Sequence, residues 1–412
     1  MIDLALLRKD KTYIIGLCKK KDPSFDIEKL AWLDEEVRRL RLISENLRHE
    51  KNELVEQSKV NLNAESIAKS RQISQNLKHL DEDLKVIEAQ FEDLYLRCPN
   101  LILNDVPEGG KDHNVDVKSW GIKPKFNFAI LNHLELGKIN QWFDFEAAAN
   151  MSGSQFALYK GEAVKLVYAL MIYMFNNNLN YGFYPILPPY LVNEKALTIA
   201  SNFPRFKDEV YAIEKDGLYL TPTAEVNLTN IYQNRIIESE QLPIRMTSWT
   251  SCFRREAGGY GAAERGLLRI HQFEKCELYT ICVPENAKAE QDLMIACAEN
   301  ILQKLGLHYR IMLLAAQDCS FASAKTYDIE VWLPAQGIYK EISSISNCTD
   351  FQARRALIRY KDDINAKSRL VYTLNGSSLA LPRLLVAIME TYQQEDGKIE
   401  LPDILKTVKL NL

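Results

Sequence analysis

Two runs of apolar residues, spaced by three and four, leave the first quarter of this chain little choice of fold. Leu30, Leu33, Val37, Leu40, Leu47 and Leu54 make one run; Ile67, Ile73, Leu77, Leu80, Leu84, Ile87, Phe91 and Leu94 make the other. Each stripe is narrow and set among Glu, Lys and Arg, so each run reads as a long amphipathic helix whose seam calls for one partner helix. A polar stretch over residues 57–65 interrupts the pattern, with Asn63 placed to cap the second helix. The expectation is an antiparallel coiled-coil arm over residues 27–96, with helices of about 33 residues and, at 1.5 Å rise, about 50 Å long. Basic residues along it (Arg38, Arg39, Arg41, Arg48, Lys51, Lys69, Arg71 and Lys78) alternate with acids. A solvated helix face explains them, and so does contact with nucleic-acid phosphates; charge patterning does not separate the two.

The segment PEGGKDHN after the second run is turn-rich and ends the arm, which suggests domains over residues 1–104 and 105–412. Beyond it, short β-rich runs such as IYKEISSIS often follow one another directly, with helical stretches near residues 162–176, 286–305 and 384–394. Consecutive strands without regular crossover helices favour an α+β fold with a mainly antiparallel sheet flanked by helices.

A chain of 412 residues with 47% hydrophobic content can bury a large core, and a net charge of −4 gives no global signature of nucleic-acid binding. Eight cysteines are scattered without a CxxC pair, so they read as reduced thiols in a cytoplasmic protein, with no zinc expected. The first residues, MIDLALLRKDK, lack the apolar core of a secretory signal. The longest apolar helical stretch, over residues 166–175, is about half of what a membrane span needs. Several chemistries are missing their motifs: there is no GxxxxGK[ST] loop, strand-linked GxGxxG, HExxH or GxSxG.

Residues 252–277, CFRREAGGYGAAERGLLRIHQFEKCE, read as two strands around a glycine-rich loop. Arg254 and Glu256 share one strand parity. Arg269, His271, Phe273, Lys275 and Glu277 share another, while Leu268, Ile270, Cys276 and Leu278 fall opposite and face a core. The polar parity is either a solvated sheet face or a nucleotide site.

This segment, over about residues 250–279, resembles motif 2 of class II aminoacyl-tRNA synthetases, and RGLLRIHQFEKCE is similar to the seryl-tRNA synthetase version. NYGFYPILPPYLV (about residues 180–192) resembles motif 1, the family's dimer element. LNGSSLALPRLLVAIMETYQ (about residues 374–393) resembles motif 3. The resemblance implies an ATP site of Arg254, Arg255, Glu256, Phe273, Glu341, Ile342, Ser343, Ser344 and Arg383. In it Arg254 meets the α-phosphate, Glu256 the adenine amino group, Phe273 the adenine ring and Arg383 the γ-phosphate. Guanidinium suits these tasks because it forks across phosphate oxygens, and a helix N-terminus favours the anion further. Arg254, Glu256 and Arg383 are the implied catalytic set. Arg269 matches a further active-site arginine, with surface pairing to Glu274 or Glu277 as its alternative.

By the same resemblance Glu341 and Ser344 bind the Mg2+ that accompanies ATP. Thr223, Ala224 and Glu225 match the serine-binding TAE loop, joined by Arg254, Glu277 and Ser377. A buried acceptor for the substrate hydroxyl would reject alanine by about 10⁴- to 10⁵-fold. The loop GGYGAAERG, which holds Arg265, departs from the family's usual GRDTRG. The implied enzyme is a cytoplasmic homodimeric serine–tRNA ligase. It joins L-serine to tRNA(Ser) through seryl-adenylate, with tRNA(Sec) as a further candidate, and its arm contacts tRNA through residues among Arg38, Arg41, Arg48, Lys51, Lys69, Arg71 and Lys78. Two other readings stay open: a class II ligase loading a carrier protein, against which the long arm argues, and a non-catalytic RNA-binding relative, against which the charged motif residues argue.

Overall fold

The computed structural model describes residues 1–60, 64–256, 266–363 and 365–406. The chain divides into two compact units, Met1–Pro99 and Asn100–Leu412. The Asn100 side chain donates to the carbonyls of Ala322 and Cys348 at 2.8 Å each, which commits the residues after Pro99 to the second unit.

In the first unit, helices Ile27–Val60 and Ala64–Arg97 pack together as a pair. Leu30, Leu33, Val37, Leu40, Ile73 and Leu77 are buried along the seam. Ile67, placed in the seam by its spacing, is exposed instead, close to where the two helices approach their connection. Asn63 and its expected cap lie outside the described residues.

The second unit is built on an eight-stranded sheet: β1 (Val115–Trp120), β2 (Tyr184–Pro185), β3 (Ile244–Phe253), β4 (Gln272–Cys282), β5 (Tyr309–Leu313), β6 (Lys325–Leu333), β7 (Ile338–Asn347) and β8 (Tyr372–Ala380). Its order is β1-β5-β6-β7-β8-β4-β3-β2, antiparallel throughout except for the parallel β2–β3 pair at one edge. Alternation along β4 sends side chains into two different layers. Cys276, Leu278 and Cys282 join the core formed with helices Glu162–Asn180, Ala287–Lys304 and Leu381–Thr391. Tyr279 and Ile281 join a second core with helices Ala224–Asn230 and Phe351–Ala356. Both faces of this strand are therefore covered, and Lys275 and Glu277 are buried, not on a solvated sheet face. All eight cysteines are buried as free thiols. Among the described residues no helix is long and apolar enough to cross a membrane.

Candidate active site

The ends of β3 and β4, the β6–β7 hairpin and the start of helix Leu381–Thr391 line a cavity of about 730 Å³. Of the site residues implied by the resemblance, Arg254, Glu256, Arg269, Phe273, Glu341, Ser344, Ser377 and Arg383 reach it, and Lys275 lines it as well. They come from four segments spread over some 130 residues, and the antiparallel ladder is what gathers them.

Strand β3 stops at Phe253, and Glu256 turns away with φ +51, so Arg254 and Glu256 do not share a strand face as their spacing suggested. They meet the same cavity from a loop. The Arg254 amide donates to the His271 carbonyl at 2.8 Å and its Nε to the Pro222 carbonyl at 3.2 Å. Its guanidinium carbon stands 5.3 Å from the centre of the Phe273 ring, a cation–π arrangement that orients both groups. Arg269 Nε donates to Glu256 Oε2 at 2.7 Å. Neither Glu274 nor Glu277 takes the role sequence reading offered it as Arg269's partner: Glu274 accepts from Trp249 Nε1 at 2.6 Å and from the Ser251 hydroxyl, and Glu277 is paired with Lys275. Arg255 is exposed and outside the cavity lining. The loop with Arg265 lies outside the described residues.

Beneath the cavity, Thr223 caps helix Ala224–Asn230 and also joins a buried polar cluster. Its hydroxyl donates to Glu277 Oε2 at 2.8 Å and accepts from Lys275 Nζ at 2.7 Å and from the Glu225 amide at 3.3 Å. One donor and two acceptor sites are all a hydroxyl has, so this group is fully used. Lys275 and Glu277, two apart on β4, also pair directly. Burying both charges is costly, and this dense hydrogen bonding is what offsets it. Glu225 Oε1 accepts from Gln352 Nε2 at 2.7 Å and Asn375 Nδ2 at 3.0 Å. Burial, and then the nearby charge of Glu277, push its carboxyl up to about 7. Ala224 is fully buried at the helix start.

On the opposite wall Arg383, in the first turn of its helix, donates from Nη1 to the Glu341 carbonyl at 2.8 Å and lies 3.4 Å from that residue's carboxylate. Ser377 faces Glu277 across β8 and β4, and its carbonyl accepts from the Ser343 hydroxyl at 2.5 Å. Ile342 points into the core instead of the cavity. Sequence reasoning missed Asp328, which lines the cavity from β6 directly opposite Ser344. Burial, and then the charge of Glu341, hold its carboxyl well above the usual carboxylate range, with Ser344 opposing them. Its Oδ1 is buried without a hydrogen-bond partner among the described residues. The signal that could have found it is the hairpin itself, since pairing YDIEVW against IYKEISS sets Asp328 beside Ser344.

Two family models match the chain. Residues 1–102 fit the seryl-tRNA synthetase N-terminal domain, and residues 206–392 the class II tRNA synthetase core domain shared by the G, H, P, S and T enzymes. A serine–tRNA ligase of a Hydrogenobaculum species is 44% identical over 414 residues, covering 98% of each chain. That of Desulfotalea psychrophila is 47% identical over 82% of this chain and 80% of its own. Among solved structures, the seryl-tRNA synthetase from Pyrococcus horikoshii complexed with ATP superposes with a TM-score of 0.92 at 32% identity, covering 99% of this chain and 98% of that one. Matched in both of its parts and along nearly its whole length, this chain belongs to the seryl-tRNA synthetase family of class II aminoacyl-tRNA synthetases.

Proposed function

We infer that the chain catalyses the ATP-dependent attachment of L-serine to tRNA. The observation that carries the reading is the meeting of Arg254, Glu256, Phe273, Glu341, Ser344 and Arg383 in one cavity of a chain 44% identical to a serine–tRNA ligase. In the first step a serine carboxylate oxygen bonds the α-phosphorus of ATP as pyrophosphate leaves. In the second, the terminal ribose hydroxyl of tRNA takes the seryl group and AMP departs. No protein nucleophile is required; positioning and charge stabilisation supply the rate.

Arg254 is suited to the α-phosphate, Phe273 to the adenine face, Glu256 to the adenine amino group and Arg383 to the γ-phosphate. Glu225 and Glu277 are the groups for the substrate ammonium and hydroxyl, and Thr223, its own hydroxyl already fully bonded, holds Glu277 in place among them. Glu341 and Ser344 offer oxygen donors of the kind Mg2+ takes, and the unpartnered buried oxygen of Asp328 beside Ser344 suits a cation there. Bound with ATP, such an ion neutralises charge on the phosphates. We further propose that the enzyme works as a cytoplasmic homodimer on tRNA(Ser), with tRNA(Sec) as a second substrate.

The test is ATP–pyrophosphate exchange with serine, threonine, alanine and glycine, followed by charging of a serine tRNA with and without its long variable arm. Serine-dependent exchange with arm-dependent charging is expected. Exchange without charging would point to a carrier-protein ligase, and no exchange with any amino acid would overturn the enzymatic reading.

A further inference from the structure

His133 is buried at 3% exposure, at the first position of helix His133–Ile139. Its ring lies between two parts of the second unit that are far apart in sequence. On one side the Leu267 amide donates to His133 Nε2 at 3.4 Å. Gly266, at φ +67, packs so closely that a Cβ there would come within 2.4 Å of the same nitrogen. On the other side Nδ1 lies 3.5 Å from Glu390 Oε1. Nε2 is the accepting nitrogen, and Nδ1 faces that carboxylate without a hydrogen-bond partner among the described residues.

Glu390 is itself fully buried, and a buried carboxylate must be held by donors. It accepts from the His133 amide at 3.3 Å and, through its other oxygen, from the Ala335 amide at 3.1 Å. Ala335 sits in the turn between β6 and β7, the hairpin that carries Glu341. Glu390 belongs to the helix that begins beside Arg383. Gln393 adds a reciprocal pair with Leu131, accepting from its amide at 2.7 Å and donating to its carbonyl at 3.0 Å. One His–Glu contact thus joins three elements that end in the cavity: the Gly266–Leu268 turn leading to Arg269, the β6–β7 hairpin and the Arg383 helix.

We propose that His133, held through its backbone amide by Glu390, is a positioning residue that fixes the exit of the loop between β3 and β4, and so the place of Leu267, Leu268 and Arg269 against the nucleotide. The inference deepens the ATP-site reading above and rests on it. A structural histidine in a core would serve stability alone; this one bonds the turn from which three cavity-lining residues follow.

Two near-isosteric variants separate the halves of the ring. In His133→Gln the side-chain amide reaches the position of Nε2 and can still accept the Leu267 N–H. In His133→Asn it reaches only the position of Nδ1, so the bond to Leu267 is broken. Amide hydrogen exchange of the segment around Leu267, a readout independent of catalysis, is expected to show protection in the parent and in His133→Gln and its loss in His133→Asn. In serine-dependent pyrophosphate exchange, His133→Asn is expected to raise the KM for ATP by about tenfold, the value of one buried hydrogen bond, with the KM for serine little changed. His133→Gln should restore most of it. Equal defects in both variants, or a lower melting temperature with unchanged KM for ATP, would overturn the positioning role. A parent enzyme without any exchange activity would instead fail the functional reading, while the amide-exchange contrast would still report on the bond.

Discussion

Glu225 shows how one residue's surroundings set a working pH. Its carboxyl, ordinarily at 4.5, is raised to about 7 by burial and by the charge of Glu277, against the opposing pull of its Gln352 hydrogen bond and of Lys275 and Arg254. The carboxylate prevails above that value and the neutral acid below it. Only the carboxylate attracts a substrate ammonium, so the KM for serine is expected to rise as pH falls through 7, approaching about tenfold per unit well below it. Glu225→Gln should raise that KM at pH 8 and flatten the profile. In stability the sign is opposite: a raised carboxyl pKa favours folding below 4.5, and that contribution is lost as pH rises through about 7. The Gln variant should therefore gain melting temperature relative to the parent on the alkaline side. An unchanged serine profile in Glu225→Gln would remove this residue from the serine site. At this scale the sequence was legible where a residue carries its own chemical signature, as Arg254 and Arg383 do. Asp328 was not, because its meaning lies in a partner sixteen positions away across a hairpin.

The helical arm divides its cations into two groups that sequence patterning could not separate. Arg41 pairs with Glu88 at 2.6 Å, Arg48 with Asp81 at 3.0 Å and Lys69 with Glu50 at 2.8 Å, each joining one helix to the other. Arg38 lies 3.3 Å from Asp34 and Arg39 is paired with Glu36 within its own helix. Among the described residues Lys51, Arg71 and Lys78 have no such pair, and Lys51 and Lys78 line one shallow groove with Ser74. Neutralising these three together is expected to weaken tRNA charging and reduce its salt dependence while leaving serine-dependent exchange intact, because a phosphate that no cation neutralises keeps its own counterion. Arg41→Ala and Arg48→Ala should instead cost the arm at most about 1 kcal/mol each, as exposed pairs do. If the paired arginines proved the stronger determinants of charging, this division would fail. Periodicity was enough to find the helices, since a seam repeats many times over, whereas the choice of ion pairs depends on the register between them. The same limit applied to β4: alternation was visible in sequence, but not that a second layer of helices would bury the other face as well.

At the scale of the molecule, the eight-stranded sheet of the second unit ends on β2, a two-residue strand that among the described residues is paired on only one side. Natural sheets seldom leave an apolar edge open to water. Here the chain leaving that edge exposes Leu187 at 83% and Tyr184 at 68%, with Tyr190 and Leu191 also open. Pro185, Pro188 and Pro189 supply no amide donors, so the segment is ill-suited to adding another strand and better suited to contact through its side chains. That combination supports burial against a second copy of the chain, as the resemblance to motif 1 implied. The sequence could suggest the motif because glycine and prolines mark it, but exposure is a property of the folded sheet. Sedimentation of the purified protein is expected to give a dimer, and Leu187→Asp, which places a charge where an apolar contact is expected, should shift it toward monomer and lower charging. A parent protein that stays monomeric at micromolar concentration, or a Leu187→Asp dimer as tight as the parent, would mean that this edge faces water and that the dimer, if formed, uses another surface.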